Sequence, residues 1–377
     1  MLKSIIVMLA AAGLTATAAQ AQLRMQEIGR VNVQSFFNSD NPSNIGTNAM
    51  AVAWNGTDLY VGGFRNATAT SDGTGVLRVN NPLVNGTSST STFGILTTPL
   101  FTGFSGLDIS GNTLAATWDR NGPSLNSLRA FNTDATNSLR WRLAAGQRGQ
   151  SGTAFNPGIN GTGGLGSGVS FLIQGDGNER VYNVDTGAGN ASPSGELNVV
   201  GGGEFAMNAS GFTSYRDVDF DAATGDAYFR ANNSVAHAVR TNAGGWNNGG
   251  LSPRIVQLTK ANVLGTNIQL LDTAMGKSLI FNNRALGDPG QTFASVMLAS
   301  DLSGAAQTIE FLSPSGGVFT PFGTGNAVYD FSFDSASQTL AISDFSSNQV
   351  YIFQIPTPGA AALLALGGLV ATRRRRS

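Results

Sequence analysis

The chain has 377 residues, no cysteine, a net charge of −1, 12% charged residues and 41% apolar ones. That composition excludes thiolate catalysis, Cys-zinc sites and disulfide staples, and it excludes disorder driven by low hydrophobicity and high charge. A body this poor in Lys and Arg is also a weak partner for nucleic acid, which rewards clustered cations.

Residues 1–21 read MLKSIIVMLAAAGLTATAAQA, with a basic start at Lys3, an apolar run from Ile5 to Leu14 and a small-x-small box at Ala19 and Ala21. Charge, apolar run and box in that order make a secretory signal peptide, cut by signal peptidase to leave Gln22 first. A short buried helix would explain the apolar run but not its flanks.

From 22 to 355 there is no long helical periodicity. Apolar residues alternate over short runs bounded by Gly, Asn, Asp and Ser, the pattern of an all-β body. Residues 161–168 (GTGGLGSG) have a loop's composition, but no linker divides the stretch, so one domain is expected. A weak repeat runs through it, in which an alternating run, a polar turn and a second run recur. Four copies stand out: 51–61 (AVAWNGTDLYV), 106–116 (GLDISGNTLAA), 217–229 (DVDFDAATGDAYF) and 330–342 (DFSFDSASQTLAI). Fainter copies lie at 169–184 and 277–298, so that starting points fall about every 50 to 60 residues.

Further extended runs at 76–79, 128–131, 197–200, 254–258 and 349–355 follow several copies. Three or four antiparallel strands repeated about six times predict a β-propeller of six blades, with seven blades or a β-sandwich as alternatives. Ile28, Val31 and Val33 offer a strand that could pair with the last run, VYIFQI, and close the ring. In this pattern the body resembles extracellular propellers of the NHL or YncE-like type, although no repeated Trp-Asp or kelch signature occurs.

The last segment, 356–377, reads PTPGAAALLALGGLVATRRRRS. Pro356 and Pro358 stop a strand because neither offers a backbone N–H. An apolar stretch follows that is short for a spanning helix, then Arg373, Arg374, Arg375 and Arg376, which hold the tail on the cytoplasmic side. The order Pro-x-Pro, apolar stretch, arginines resembles the PEP-CTERM sorting signal. The resemblance implies transient anchoring as a transmembrane helix in the inner membrane, cleavage by an exosortase-type protease near the Pro-x-Pro motif, and delivery to the cell envelope or exterior. Thr357 stands where that family usually has Glu. With both ends removed, the loss of Lys3 and four arginines from 22 basic residues leaves 17 against 23 acidic ones, a net charge of about −6.

Chemistry is sparse in the body. The single histidine, His237, excludes zinc sites built on two histidines, and no G-x-S-x-G elbow accompanies it. Carboxylates remain, because calcium needs only oxygen ligands and glycosidases need only two acids. Asp217, Asp219, Asp221 and Asp226 form the densest cluster, without the glycine and closing Glu of an EF-hand, and the simplest role for Asp221 and Asp226 is to make a turn, as for Asp334 and Ser337. Asp108 matches Asp219 in the repeat, and Asp217 matches Asp330. Such positions face the central channel or the blade ends, or bridge one blade to the next. The candidate binding surface is therefore Asp108, Asp217, Asp219 and Asp330 with Trp118, Arg216 and Tyr329; no metal site is assigned, and calcium is the one cofactor entertained. The expected function is an exported envelope or matrix protein whose non-catalytic propeller meets a polysaccharide or envelope protein. An exported carboxylate- or calcium-dependent hydrolase or lactonase is the alternative.

Overall fold

The computed structural model describes residues 23–37, 45–64, 74–96, 103–119, 128–134, 138–142, 147–155, 169–175, 179–184, 190–191, 197–198, 205–206, 215–224, 226–231, 234–240, 251–254, 263–264, 267–273, 276–285, 292–297, 306–322 and 329–355, several strands by their backbone alone. Strand β1 (Arg24–Asn32) comes first. A meander of β2 (Asn48–Trp54), β3 (Leu59–Phe64), β4 (Thr74–Val79) and β5 (Thr90–Leu96) follows, with a one-turn helix α1 (Pro82–Asn85) between its last two strands. The second unit is β6 (Gly103–Ser110), β7 (Thr113–Asp119), β8 (Leu128–Asn132) and β9 (Ser138–Arg142). The third is β10 (Gln147–Phe155), β11 (Val169–Gly175) and β12 (Glu179–Val184); after the short pair β13 (Asn190–Ala191) and β14 (Leu197–Asn198), β15 (Phe205–Ala206) joins it.

The fourth unit consists of β16 (Tyr215–Phe220), β17 (Ala227–Ala231), β18 (Ser234–Arg240) and β19 (Leu251–Arg254). After β20 (Val263–Leu264) comes the fifth, β21 (Ile268–Thr273), β22 (Gly276–Ala285), β23 (Thr292–Met297) and β24 (Gln307–Thr308). Beyond β25 (Glu310–Leu312), the sixth is β26 (Tyr329–Asp334), β27 (Thr339–Asp344) and β28 (Gln349–Gln354).

Among the described residues these units are joined in a circle. The first strand of each packs against those on either side: β2 on β6, β6 on β10, β10 on β16, β16 on β21, β21 on β26, and β26 back on β2. Sheets radiating from a closed circle of first strands make a β-propeller. A sandwich sheet wets one face, whereas all six residues of β27 are buried, because neighbouring units cover both faces.

The core lies between units. Val52, Trp54, Leu59 and Val61 of the first pack on Ala341, Val350 and Ile352 of the sixth. Ala51, Ala53 and Tyr60 meet Phe104, Leu107 and Leu114 of the second. Tyr228 and Val235 meet Ile268, Leu270 and Phe281 across the fourth and fifth, and Leu271 and Ile280 meet Phe331, Leu340 and Phe353 across the fifth and sixth.

The ring closes as expected from the N-terminal apolar residues. Strand β1 runs antiparallel to β28, from Gln26↔Gln354 to Asn32↔Gln349, and its other edge is parallel to β25. Val31 and Val33 are buried, but a bulge between Glu27 and Gly29 leaves Ile28 41% exposed, so it adds nothing to the core.

Two strand expectations need correction, and a third lies almost wholly outside the described residues. The faint copies at 169–184 and 277–298 fall on the second and third strands of their units, one strand later than in the clear copies. Of the run at 197–200 the described residues form β14, which pairs in parallel with β9 of the second unit and not with a strand of the third. The run at 254–258 is described only at Arg254, the last residue of β19.

Candidate functional site

Asp108 stands on β6, Asp217 and Asp219 on β16, and Asp330 on β26, the first strands of the second, fourth and sixth units. Alternation along β16 turns Asp217 and Asp219 the same way, and both meet the others at one pocket. Gly106, Gly152, Thr153, Ile268 and Gln269 complete much of its wall, around about 310 Å³ of space that includes open solvent.

Each carboxylate is held in the same way. One oxygen accepts the N–H of the next residue in its own strand: Ile109 at 2.8 Å from Asp108, Val218 at 2.9 Å from Asp217, Phe220 at 2.7 Å from Asp219 and Phe331 at 3.0 Å from Asp330. The other reaches the following unit, where Asp108 accepts from Phe155 at 2.6 Å, Asp217 from Ile268 at 2.8 Å, Asp219 from Leu270 at 2.6 Å and Asp330 from Val52 at 2.8 Å. Amides add to two of them: Gln269 donates Nε2 to Asp219 at 2.6 Å, and Asn267 donates Nδ2 to Asp330 at 3.0 Å. Ser332, two residues after Asp330, repeats the device with its hydroxyl by accepting from Trp54 N at 2.8 Å.

The glycines belong to the same design. A Cβ on Gly152 would overlap Asp217 Oδ1, and one on Gly106 would stand 3.0 Å from Gly152 Cα and from Thr153 N. Glycine is the residue that lets strand β10 approach this closely.

Among the described residues the pocket lining holds four carboxylates and no cationic side chain. Burial drives all four upward in pKa, because the charged form loses its water. Asp108 is pushed up to about 6 despite the N–H groups of Phe155 and Ile109. Asp219 rises to about 7, with the charge of Asp108 adding to burial. Asp217 rises well above the usual carboxylate range, by burial and then by the charge of Asp330, and Asp330 is pushed up to about 8 by burial, with the charge of Asp108 adding to it.

The remaining acidic cluster disperses. Asp221 turns away to make its loop, accepting from Ala223 N at 2.8 Å and Thr224 N at 3.4 Å, and takes Lys277 Nζ at 2.5 Å from the fifth unit. Asp226 meets His237 Nε2 at 3.0 Å, a side-chain pairing that the turn reading did not contain. His237 is 4% exposed and stacks on Tyr228 with ring centroids 4.6 Å apart, while its Nδ1 has no hydrogen-bond partner among the described residues. That is the setting of a core histidine. Asp334 does make its turn with Ser337, accepting its N–H at 2.7 Å. Among the described residues no group of three or more acidic or imidazole side chains is placed to hold a metal ion.

Trp118, Arg216 and Tyr329 lie on β7, β16 and β26, but their side chains are outside the described residues. So are Ala19, Ala21, Pro356, Thr357, Pro358 and the four terminal arginines. Among the described residues no helix is long and apolar enough to cross a membrane. Sequence reasoning missed Gly152, Asn267, Gln269, Lys277 and Ser332, the last although it holds the third position of its repeat copy, where the fourth unit has Asp219.

No family model matches the chain, and no curated protein matches it in sequence. Among solved structures, a Bacteroides thetaiotaomicron protein of unknown function matches with a TM-score of 0.50 at 10% identity, covering 89% of this chain and 75% of that one. The β-propeller domain of Myceliophteria thermophila Cps50 (Swd1) aligns at 9% identity and a TM-score of 0.44, over 82% of this chain and 84% of that one. A putative 6-phosphogluconolactonase from Bacteroides uniformis aligns at 13% identity and a TM-score of 0.46, over 80% and 79%. Identities this low bear on fold and not on chemistry.

Proposed function

We propose that this chain is an exported β-propeller scaffold, without catalytic activity of its own, whose loops meet a polysaccharide or a protein of the cell envelope and whose last segment is a PEP-CTERM-type sorting tag. The observation that carries the reading is the use of the axial carboxylates. Asp108, Asp217, Asp219 and Asp330 each spend one oxygen on a backbone N–H of the following unit, as staples do. A general acid or a metal ligand needs its lone pairs turned toward a ligand.

Export fits the position of the strand ends. Strand β1 begins at Arg24 and β28 ends at Gln354. Cleavage after Ala21 and near Pro356 would therefore trim both ends without breaking a ladder. Terminal sequencing and intact mass of the protein recovered from the envelope or medium test the address: the expected species starts at Gln22 and ends near Pro356, and a full-length cytoplasmic species refutes it. Co-sedimentation with envelope polysaccharides tests the scaffold, with binding and no turnover expected.

The second reading, a carboxylate-dependent hydrolase or lactonase, draws on acids poised near neutrality beside one pocket, an arrangement that suits proton transfer. Hydrolysis of a sugar polymer, ester or lactone by the purified protein, abolished by Asp108→Asn, would establish it in place of the first.

A further inference from the structure

The axial pocket poses an electrostatic problem that its staples do not remove. Four carboxylates from alternate units line one cavity, and among the described residues their donors are neutral N–H groups and amides. Neutral dipoles offset burial only in part, and like charges across a cavity oppose one another.

The surrounding strands supply no compensating cation among the described residues. Strand β2 has no titratable residue, and β6 has only Asp108. On β17, Arg230 donates to Asn282 O at 3.4 Å and lies over the Phe281 ring at 5.5 Å, while Tyr228 stacks on His237. Lys277 on β22 is taken by Asp221, Asp272 at the end of β21 is half exposed, Asp334 ends β26 in its turn, and buried Asp344 on β27 accepts from Ser346 and Ser347. Arg148 on β10 and Asp119 on β7, like Tyr215, Arg216 and Tyr329, have side chains outside the described residues.

We propose that the pocket is a pH-sensitive keystone of the ring, in which loss of protons from the four aspartates loosens the unit junctions that they staple. The junctions concerned are second to third through Asp108, fourth to fifth through Asp217 and Asp219, and sixth to first through Asp330. A protonated carboxyl keeps an acceptor oxygen for its backbone N–H and sheds the repulsion. A fully ionised set keeps the hydrogen bonds but sets four charges against one another. The sign follows from linkage: groups whose pKa is raised on folding add stability that is complete at pH below their unfolded values and is lost as pH rises through their folded ones. The ring is therefore tightest in mild acid and slackens between about pH 4 and about pH 8. The proposal goes beyond the scaffold reading and does not depend on it.

The test is thermal unfolding of the purified protein across that range, alongside Asp219→Asn, Asp330→Asn and, as a control on an exposed acid, Asp272→Asn. The melting temperature of the native protein should fall as pH rises from about 5 to about 8, with a shallower fall in Asp219→Asn and Asp330→Asn and an unchanged one in Asp272→Asn. Infrared spectroscopy of the folded native protein at neutral pH reads the protons directly, through a carbonyl band of protonated carboxyl that weakens in both axial variants. It serves even where a variant folds poorly. A melting temperature that does not fall with pH, equal slopes in all variants, or no protonated carboxyl at neutral pH overturns the proposal. If added sodium or calcium removes the slope at constant ionic strength, a cation rather than a proton neutralises the pocket, and the proposal fails in that form.

Discussion

Asp330 accepts the backbone N–H of Val52 at 2.8 Å across 278 positions of sequence, and so ties the sixth unit to the first. The same carboxylate takes Asn267 from the fifth unit, so it is stapled to both neighbours of its blade. Asp330→Ala leaves the buried Val52 N–H without its acceptor and should lower the unfolding free energy by about 2–3 kcal/mol, read from denaturant melts in mild acid. Asp330→Asn keeps one acceptor oxygen and should cost less.

Gly152 lets strand β10 lie directly against Asp217 of β16. Gly152→Ala drives a methyl group into Asp217, so either the carboxylate or the strand must move. A loss of about 1–3 kcal/mol is expected in the same melts, the range of overpacked cores. Gly316, whose Cβ would meet nothing, has φ +87° and is the wrong control; Ser315→Ala, on the same exposed loop, should change little.

The closing strand pair can be weakened from its core side. Phe353 is fully buried against Phe311 and Tyr351. Phe353→Ala should cost about 3–5 kcal/mol. Val31→Pro removes a ladder N–H opposite Val350 and should open the seam, with protease cleavage near the termini as the readout.

Lys277 and Asp221 join the fourth and fifth units at their edge, opposite in sense to the axial acids. Burial pushes Asp221 up, but the Lys277 ammonium and the N–H groups of Ala223 and Thr224 outweigh it, so its pKa is lowered. A carboxylate lowered on folding stabilises above its unfolded pKa and loses that contribution as pH falls through the folded one. Lys277→Met should cost about 1 kcal/mol at neutral pH and leave a protein that loses less on further acidification.

The propeller was legible because four units begin with the same grammar. Residues 51–61, 106–116, 217–229 and 330–342 each hold a first strand, a polar turn and a second strand, so alternation and turn residues fall in phase. The third and fifth units hide their first strands for different reasons. Strand β10 (QRGQSGTAF) is polar and has a glycine where it lies close against Asp217, which leaves no apolar alternation to read. Strand β21 is apolar enough, but two residues separate it from β22, and a turn so short merges two strands into one run. The four aspartates were legible from repeat position. That they converge on one cavity was not, since only the ring brings Asp108 and Asp330 together. Gly152 and Asn267 carry no repeat signal and depend on that geometry entirely.

The seam between β1 and β28 also orders events in time. The first segment of the body to leave the ribosome pairs with the last, so β1 waits for β28 until the whole chain has been delivered. Until then the ring is an arc with open edges, a species prone to pairing with other chains. Completion of the molecule is thus a long-range event of high contact order, and it should set the slowest step of folding. A chain cut short before Gln349 would leave β1 without its partner, while one trimmed after Ile355 would lose nothing of the seam.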